Sequence, residues 1–290
     1  MPSPSPDAPL PRFGLIVVGD EILSGKRTDK HLAKVIELLA ERGLSLAWAQ
    51  LVGDDPPRLT ALLRQAFASG EVVFCTGGIG ATPDDHTRQC AAAALGVPLR
   101  PHAEAQRLIW QRLQQVAAQE GQPWEPERAD NLHRLNMGVL PEGAGLVPNA
   151  YNQIPGFFCR APQPQAGPHA AGQGGAIYFT PGFPVMAWPM IAWALDTHWS
   201  HCFRPGAWQE RSVVILGAAE STLAPVMERV EAAHPGVKVF SLPSVDHPQH
   251  GRHIELGVKG AAEAVPPAYA DLRAWLRPFD LRYGPELVRP

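Results

Sequence analysis

Charged side chains are scarce in this chain of 290 residues. They make up 18% of the sequence, against roughly 25% in an average soluble domain. The 25 basic residues are balanced by 28 acidic ones, which gives a net charge of −3. Nucleic acids and anionic membranes are bound through clustered positive charge, and this balance provides no such surface. The composition therefore predicts neither a nucleic-acid nor a membrane partner.

Cysteines and long apolar runs are also few. The four cysteines are far apart and form no CxxC pair, which favours reduced thiols over a disulfide framework or a zinc site. The longest apolar run, 185–195, is well short of the ~20 residues that a membrane span needs. Residues 1–12 contain no signal-peptide core and are predicted to be a disordered lead. Together these features predict a cytoplasmic protein.

The N-terminal third of the chain alternates between apolar strands and amphipathic helices. Strands are predicted at 13–18, 44–52 and 72–75, and helices at 28–42, 55–67 and 89–95. Alternation at these lengths favours parallel pairing with right-handed crossovers. Unbroken apolar strands also fit a sheet that is covered on both faces. The pattern predicts a three-layer α/β/α domain with a mostly parallel sheet.

The rest of the chain is predicted to complete this domain and to add a smaller one. Helix is predicted within 101–139, short strands near 145–147, 156–158 and 176–179, and a mobile hairpin insertion at 161–175. A composition break near Pro205–Gly206 precedes strands at 211–216, 237–242 and 252–258 and helices at 221–233 and 268–276. We therefore predict one domain over 13–203 and a small α+β domain over 204–290.

The segment 76–88, TGGIGATPDDHTR, lies between the third strand and a helix. Its glycines, Gly77, Gly78 and Gly80, allow a sharp turn and a close approach of the backbone to a ligand. The amides of such a turn, with the helix start behind it, suit an anion such as phosphate. Asp84 and Asp85 lie in the same turn, where they would repel an anion alone. The combination predicts a phosphate held together with a metal ion.

Each of the three predicted parallel strands is followed by two acidic residues. The pairs are Asp20–Glu21, Asp54–Asp55 and Asp84–Asp85. In an open α/β sheet, ligands bind at the carboxyl ends of the strands, especially where the strand order reverses. We therefore expect the three pairs to lie at one ligand site.

Helix capping is the alternative explanation for these acids. Asp55 before Pro56 is typical of a helix N-cap, and residues 82–85 resemble a capping box. Capping accounts easily for one acidic pair. It accounts poorly for three pairs and a glycine turn, so the sequence favours the functional interpretation.

Two common phosphate-binding motifs are absent. A P-loop ending at Gly25–Lys26 would need serine or threonine in place of Arg27, and a dinucleotide fingerprint would need a third glycine in place of Pro83.

His247, His250 and His253 are spaced so that they could bind a metal. Histidines in a loop containing proline and glycine are more often simply solvated, so the role of these three is left open.

The sequence resembles the MoaB/Mog family of molybdopterin-binding domains, and more closely its CinA branch. The similarity extends over about 13–195 and rests on a series of motifs. They are GDEILSG at 19–25, VGDD at 52–55, the segment 76–88, PEGA at 141–144, PGF at 155–157 and PGFP at 181–184. The tail resembles the small KH-like domain of CinA, without the deamidase domain that follows it there. It contains no GxxG, the element with which KH domains clamp nucleic acid.

The resemblance implies one of two functions. The CinA branch acts as a divalent-metal pyrophosphatase on ADP-ribose or FAD, whereas other members bind molybdopterin or a related pterin phosphate, so a binding protein without hydrolysis is the alternative. A third possibility is a scaffold in which the glycine turn only caps a helix. Ala81 and Met186 depart from the family, which has proline and glutamate there. Family members are often oligomeric, so a homodimer or homotrimer is expected.

The resemblance also assigns residues to the expected site. Asp85, Asp54 and Asp84 are expected to be catalytic, with Asp85 and Asp54 as ligands of Mg²⁺, Mn²⁺ or Co²⁺. Contacts to phosphate are expected from Gly77, Gly78, Gly80, Thr82 and Thr87. Contacts to the rest of the ligand are expected from Gly19, Asp20, Glu21, Pro181 and Gly182.

Overall fold

The computed structural model describes residues 10–160, 175–249 and 251–289. The chain forms two compact units. The first runs to Leu39 and resumes from Leu44 to Phe203, and the second comprises Ala40–Gly43 and the residues from Arg204 onward. Most of the predicted disordered lead and of the predicted hairpin insertion lies outside the described residues. None of the helices in the described ranges has the length and apolarity of a membrane span.

The strands of the first unit form a large sheet and a small one. They are β1 (Phe13–Val18), β2 (Leu46–Val52), β3 (Val72–Thr76), β4 (Leu99–Pro101), β5 (Val139–Pro141), β6 (Gly145–Val147), β7 (Gly156–Arg160) and β8 (Ala176–Thr180). The large sheet has the order β2-β1-β3-β8-β7-β6, and β4 pairs with β5. β2, β1, β3 and β8 are parallel to one another. β7 pairs antiparallel with β8, and β6 pairs antiparallel with β7. The predicted mostly parallel sheet is confirmed.

Helices cover both faces of this sheet. They are α1 (Asp20–Leu23), α2 (His31–Ala40), α3 (Pro56–Ser69), α4 (Thr87–Leu95), α5 (Ala103–Gln119), α6 (Ala129–Leu135) and α7 (Pro184–His198). Because side chains alternate along a strand, Leu15 and Val17 of β1 pack in one core with α2 and α7. Ile16 and Val18 belong to the opposite core, with α3 and α4. This is the predicted three-layer arrangement.

The strand order reverses beside β1. The chain passes from β1 to β2 on one side and then returns to β3 on the other side of β1. At such a reversal the two crossovers diverge to opposite faces of the sheet and leave a crevice beyond the carboxyl ends of the strands. The segment after β1 and the segment after β3 therefore border the same crevice.

The second unit is an antiparallel sheet with two helices on one face. Its elements are β9 (Trp208–Leu216), α8 (Glu220–Ala233), β10 (Lys238–His247), β11 (Gly251–Ala261), α9 (Val265–Leu276) and β12 (Arg282–Arg289). The strands have the order β10-β11-β9-β12, and one face packs on α8 and α9. The sequence analysis missed β12 because Gly284–Pro285 is typical of a turn. In the structure these residues coincide with a register irregularity between Tyr283 and Glu286.

Two local predictions need correction. Helix α2 begins at His31 rather than at Thr28, because the Asp29 carboxylate accepts hydrogen bonds from the backbone N–H groups of His31 and Leu32. The histidines thought to lie in a loop are strand residues: His247 ends β10 and the buried His253 lies on β11. His250 lies outside the described residues.

Candidate functional site

The segment after β3, residues 77–82, folds into a tight loop that we call the glycine turn. Gly77 and Gly78 have φ angles of +102° and +66°, in the region that favours glycine. A Cβ at Gly77 would lie 2.3 Å from the Val18 carbonyl oxygen, and one at Gly78 would lie 2.3 Å from the Thr87 hydroxyl. The backbone can approach the end of β1 this closely only because side chains are absent.

Thr87 anchors the glycine turn from behind. Its side chain is fully buried, and its hydroxyl donates a hydrogen bond of 3.0 Å to the Gly77 carbonyl. Its backbone N–H donates to the Gly78 carbonyl, also at 3.0 Å. Both donors of this residue thus hold the turn, and the contact between Thr87 and phosphate stays a prediction.

Asp85 closes the other end of the turn. Its carboxylate accepts hydrogen bonds from the N–H of Thr82, at 2.8 Å, and from the Thr82 hydroxyl. The bond from the Thr82 N–H resembles one of the two in a capping box, but residues 82–85 form a turn and cap no helix, because α4 begins only at Thr87. The Thr82 amide, which was expected to bind phosphate, is thus used within the protein.

Arg88 is a site residue that the sequence analysis did not assign. The residue is 6% exposed, and its guanidinium group donates to the carbonyls of Gly80, at 2.9 Å, and Asn136. Burial lowers its pKa, and the nearby Asp85 charge opposes that shift. The available signal was its position directly after Thr87, at the end of the segment 76–88. Arg88 ties the glycine turn to the segment that follows α6.

Asp20, after β1, and Asp54, after β2, are joined by two reciprocal hydrogen bonds. The backbone N–H of Asp20 donates to the Asp54 carboxylate at 3.0 Å, and the N–H of Asp54 donates to the Asp20 carboxylate at 3.1 Å. The pKa of Asp54 is raised, mainly because the carboxyl is partly buried. The negative charges of Asp20, Glu21 and Asp84 raise this pKa further, whereas the hydrogen bond from the Asp20 N–H lowers it. Charges from the other two strand ends therefore act on Asp54. Asp55 is the N-cap of α3.

The raised pKa of Asp54 predicts a pH-dependent stability. The folded chain binds this proton more tightly than the unfolded chain, whose carboxyl titrates near 3.8. The free energy of unfolding should therefore fall as pH rises from 3.8 through the raised pKa. Asp54→Asn should be more stable than the wild type at pH 7, by less than about 1 kcal/mol because the site is partly solvated. Urea unfolding at pH 7 and at about 3 checks this; an equal difference at both would contradict it.

A cavity of about 470 Å³ opens in front of the glycine turn, and we call it the turn cavity. Of the predicted site residues, all but Asp20 and Thr87 line it. These are Gly19, Glu21, Asp54, Gly77, Gly78, Gly80, Thr82, Asp84, Asp85, Pro181 and Gly182. Met186, which replaces the family glutamate, lies in the wall and its sulfur accepts a 3.4 Å hydrogen bond from the Asn152 amide. The structure thus brings residues from the ends of β1, β2, β3 and β8 to one cavity.

The side chains here do not form a metal site by themselves. Across the described residues, no three His, Cys, Asp or Glu side chains are grouped so that they could hold a metal ion. Asp54 and Asp85, the expected ligands, each accept hydrogen bonds from the protein. Mg²⁺, however, is usually bound by one or two carboxylates together with substrate phosphates. The donor set fits a cation that is shared with a phosphate.

The fold and the cavity define an open α/β domain with a cavity at the strand-order reversal. Residues 14–198 match the family described as "Probable molybdopterin binding domain". The match covers well over half of the sequence, and the chain belongs to this family. The family resemblance predicted from the sequence motifs is confirmed.

Relatives with known sequences and structures agree with this assignment. The chain is 27% identical over 219 residues to a CinA-like protein of Citrifermentans bemidjiense, covering 75% of this chain and 47% of that protein. It is 28% identical over 258 residues to a protein of Pyrobaculum calidifontis, covering 88% and 90%. The structure of CinA from Thermoplasma acidophilum matches with a TM-score of 0.50 and 23% identity, over 64% of this chain and 96% of that one. The chain thus spans about half the length of the CinA-like relative, and the structural similarity concerns the fold alone.

Proposed function

We propose that this chain binds a phosphorylated pterin of the molybdopterin class, with the phosphate at the glycine turn. The observation that carries the proposal is the turn itself, which opens into the turn cavity at the strand-order reversal. Family membership supports a molybdopterin-related binding role. The cavity of about 470 Å³ lies within the range of small-molecule sites.

The donors for a phosphate come from the middle of the turn. The N–H of Gly77 donates to the Thr180 carbonyl and that of Thr82 to Asp85. Within the described residues, no hydrogen-bond acceptor is found for the N–H groups of Gly78, Ile79, Gly80 and Ala81. Successive amides in a turn of this kind form a concave site for an anion. These four amides are therefore the proposed phosphate donors.

The acids around the turn would oppose a bare phosphate. Glu21, Asp54, Asp84 and Asp85 line the same cavity, and like charges at close range repel. We therefore propose that a divalent cation binds together with the phosphate, with Asp54 and Asp85 as the protein ligands. Arg88, behind the turn, offsets part of the charge of Asp85.

Hydrolysis of a nucleotide diphosphate is the second candidate function. The four carboxylates favour it, because such hydrolysis requires a cation site and a proton acceptor. A bound Mg²⁺, Mn²⁺ or Co²⁺ would polarise the diphosphate. Asp20 accepts the Asp54 N–H and does not line the cavity, so the exposed Asp84 is the better proton acceptor. ADP-ribose and FAD are the substrates that the resemblance suggests.

Calorimetry with neopterin monophosphate as the probe tests the first proposal. We expect saturable binding that is at least about tenfold tighter with Mg²⁺ than with EDTA, since ion pairing of this kind contributes at least about 1.4 kcal/mol. Asp85→Asn should remove most of the Mg²⁺ effect, because the asparagine oxygen can still accept from Thr82 while the charge is lost. Asp130→Asn, at an exposed acid paired with Arg128, is the matched control.

The same variant separates the two candidates. Release of AMP from ADP-ribose or FAD with Mn²⁺ or Co²⁺, abolished in Asp85→Asn, would establish hydrolysis. Saturable pterin binding without AMP release would favour the binding protein. Tighter binding by Asp85→Asn than by the wild type in the presence of Mg²⁺ would contradict the shared cation, because the carboxylate would then act only by repulsion.

A further inference from the structure

A second cavity, of about 350 Å³, lies beside the turn cavity. The two share Glu21, Arg27 and Phe183 in their walls, so a ligand held at the glycine turn can extend from one to the other. Apolar side chains, among them Val17 and Ile22, make up much of the second cavity. An apolar pocket with a few polar groups is typical of a small-molecule site.

Two buried polar atoms in the wall of the second cavity lack hydrogen-bond partners among the described residues. His31, the first residue of α2, is 4% exposed, and its Nε2 lies 3.0 Å from the Gly182 carbonyl oxygen. Its Nδ1 has no hydrogen-bond partner among the described residues, and neither has the hydroxyl of the fully buried Thr76. Buried polar atoms are rarely left unpaired. Both residues line the second cavity, where a ligand would supply the missing partners.

The contact with Gly182 determines what His31 offers to a ligand. A carbonyl oxygen can only accept, so Nε2 carries the proton in this contact. Nδ1 of the neutral ring is then an acceptor, which suits an N–H or O–H of a ligand and disfavours an anion. An acceptor at this position favours a ring N–H over a second phosphate, although Arg27 and Lys30 also line the cavity.

The wall between the two cavities suits a flat ring. The Arg27 guanidinium carbon lies 5.9 Å from the centre of the Phe183 ring, and Phe183 is 54% exposed. Arg27 is also 3.9 Å from the Glu21 carboxylate. Planar cations and aromatic rings both stack on heterocycles.

We propose that the second cavity is the subsite for the ring end of the phosphate ligand. The ring is a flat, nitrogen-rich heterocycle that donates an N–H to His31 Nδ1 and stacks near Phe183. Pterins and purines share this chemistry. The proposal rests on the proposed function, because the phosphate of the same ligand occupies the glycine turn.

Two His31 variants test the subsite. Gln places its amide near Nε2 and can still donate to Gly182, whereas Asn places a polar group near Nδ1 and gives up that contact. We expect the wild type to bind neopterin monophosphate at least about tenfold tighter than inorganic phosphate. His31→Gln should weaken the pterin about fivefold, as the loss of one hydrogen bond does. His31→Asn should weaken it less, and neither should change phosphate binding. Calorimetry with Mg²⁺ present gives all of these values.

Thr76→Val provides an independent variant that is expected to fold. It removes the unpaired hydroxyl at nearly constant shape, so it should raise the melting temperature. Pterin binding should be weaker than in the wild type, and phosphate binding should be unchanged. AMP and GMP serve as the purine probes. If His31→Gln weakens binding of the pterin alone, the result supports a pterin subsite. If it weakens pterin and purine binding equally, the result supports the ring chemistry that the two share.

The contradicting outcomes separate this proposal from the proposed function. Equal affinities for inorganic phosphate and the ring phosphates would overturn the subsite and leave phosphate binding at the turn intact. Pyrophosphate binding tighter than the pterin, and weakened by Lys30→Ala, would show an anion site and also overturn it. Failure of every phosphate probe to bind would overturn the proposed function itself.

Discussion

Replacing Gly77 with alanine is expected to abolish binding of the phosphate probe and to lower the free energy of unfolding by about 3 kcal/mol. A residue other than glycine at φ +102° is strained by about 1–3 kcal/mol. The added Cβ would also lie 2.3 Å from the Val18 carbonyl oxygen, a backbone atom that cannot rotate aside. Relief requires β1 or the turn to move, and either movement displaces the amides proposed to hold phosphate.

Gly70→Ala is the matched control for this variant. Gly70 also has a positive φ, +70°, but a Cβ there would meet no atom within 4 Å. Only the left-handed conformation is then penalised, at about 1–2 kcal/mol, and phosphate binding should be unchanged. Urea unfolding and calorimetry measure both effects. If the two variants unfold and bind alike, the close approach to Val18 does not constrain the site.

Replacing Arg88 with alanine is expected to cost about 3 kcal/mol of stability and to weaken phosphate binding at least about tenfold. The change leaves the Gly80 carbonyl without this donor, and the Asn136 carbonyl keeps only the Val139 N–H. It also leaves a gap where the buried Arg88 side chain was, and a change of this kind costs a few kcal/mol, about 3 here. It also removes the positive charge beside Asp85, so repulsion of the phosphate increases.

Two further arginine variants isolate the cause. Arg107→Ala removes an exposed guanidinium paired with Glu104, and we expect little change in stability and no effect on phosphate binding. Arg88→Lys keeps the charge and loses the planar pair of donors, so its stability should lie between alanine and wild type. Wild-type affinity in Arg88→Ala would show that the glycine turn keeps its shape without this residue.

The fold was largely predictable because its signals are local. The apolar runs that became β1, β2 and β3 and the acids that follow them are contiguous, and parallel pairing brings equivalent ends to one edge. Segments that contradict local rules were missed. The strand β12 contains Gly284–Pro285, and the one-turn helix α1 is too short for periodicity to show.

The details of the site depend on contacts between residues distant in sequence. His31 meets Gly182, a contact between residues 151 positions apart, so no pattern around His31 could indicate that it is buried. For Thr82 and Asp85 the spacing indicated a contact, and the Asp85 carboxylate accepts from the Thr82 N–H as in a capping box. The Thr82 hydroxyl, however, donates to Asp85 where a capping box would have it accept. Spacing alone does not state which side chain accepts. Arg88 is the last residue of the segment 76–88, yet only the folded chain shows that its guanidinium group donates to the carbonyls of Gly80 and Asn136.

The pairing of β3 with β8 has a consequence for the order of folding. The two strands are adjacent in register, with Thr76 beside Thr180, yet the chain between them includes β4 to β7 and the helices α4 to α6. Closing so long a loop costs more entropy than forming the β1–β2–β3 unit, whose strands are close in sequence. We therefore expect the glycine turn to form early, and the wall that contains Pro181 and Gly182 to arrive with the late docking of β8. Both cavities are then completed in the same late step.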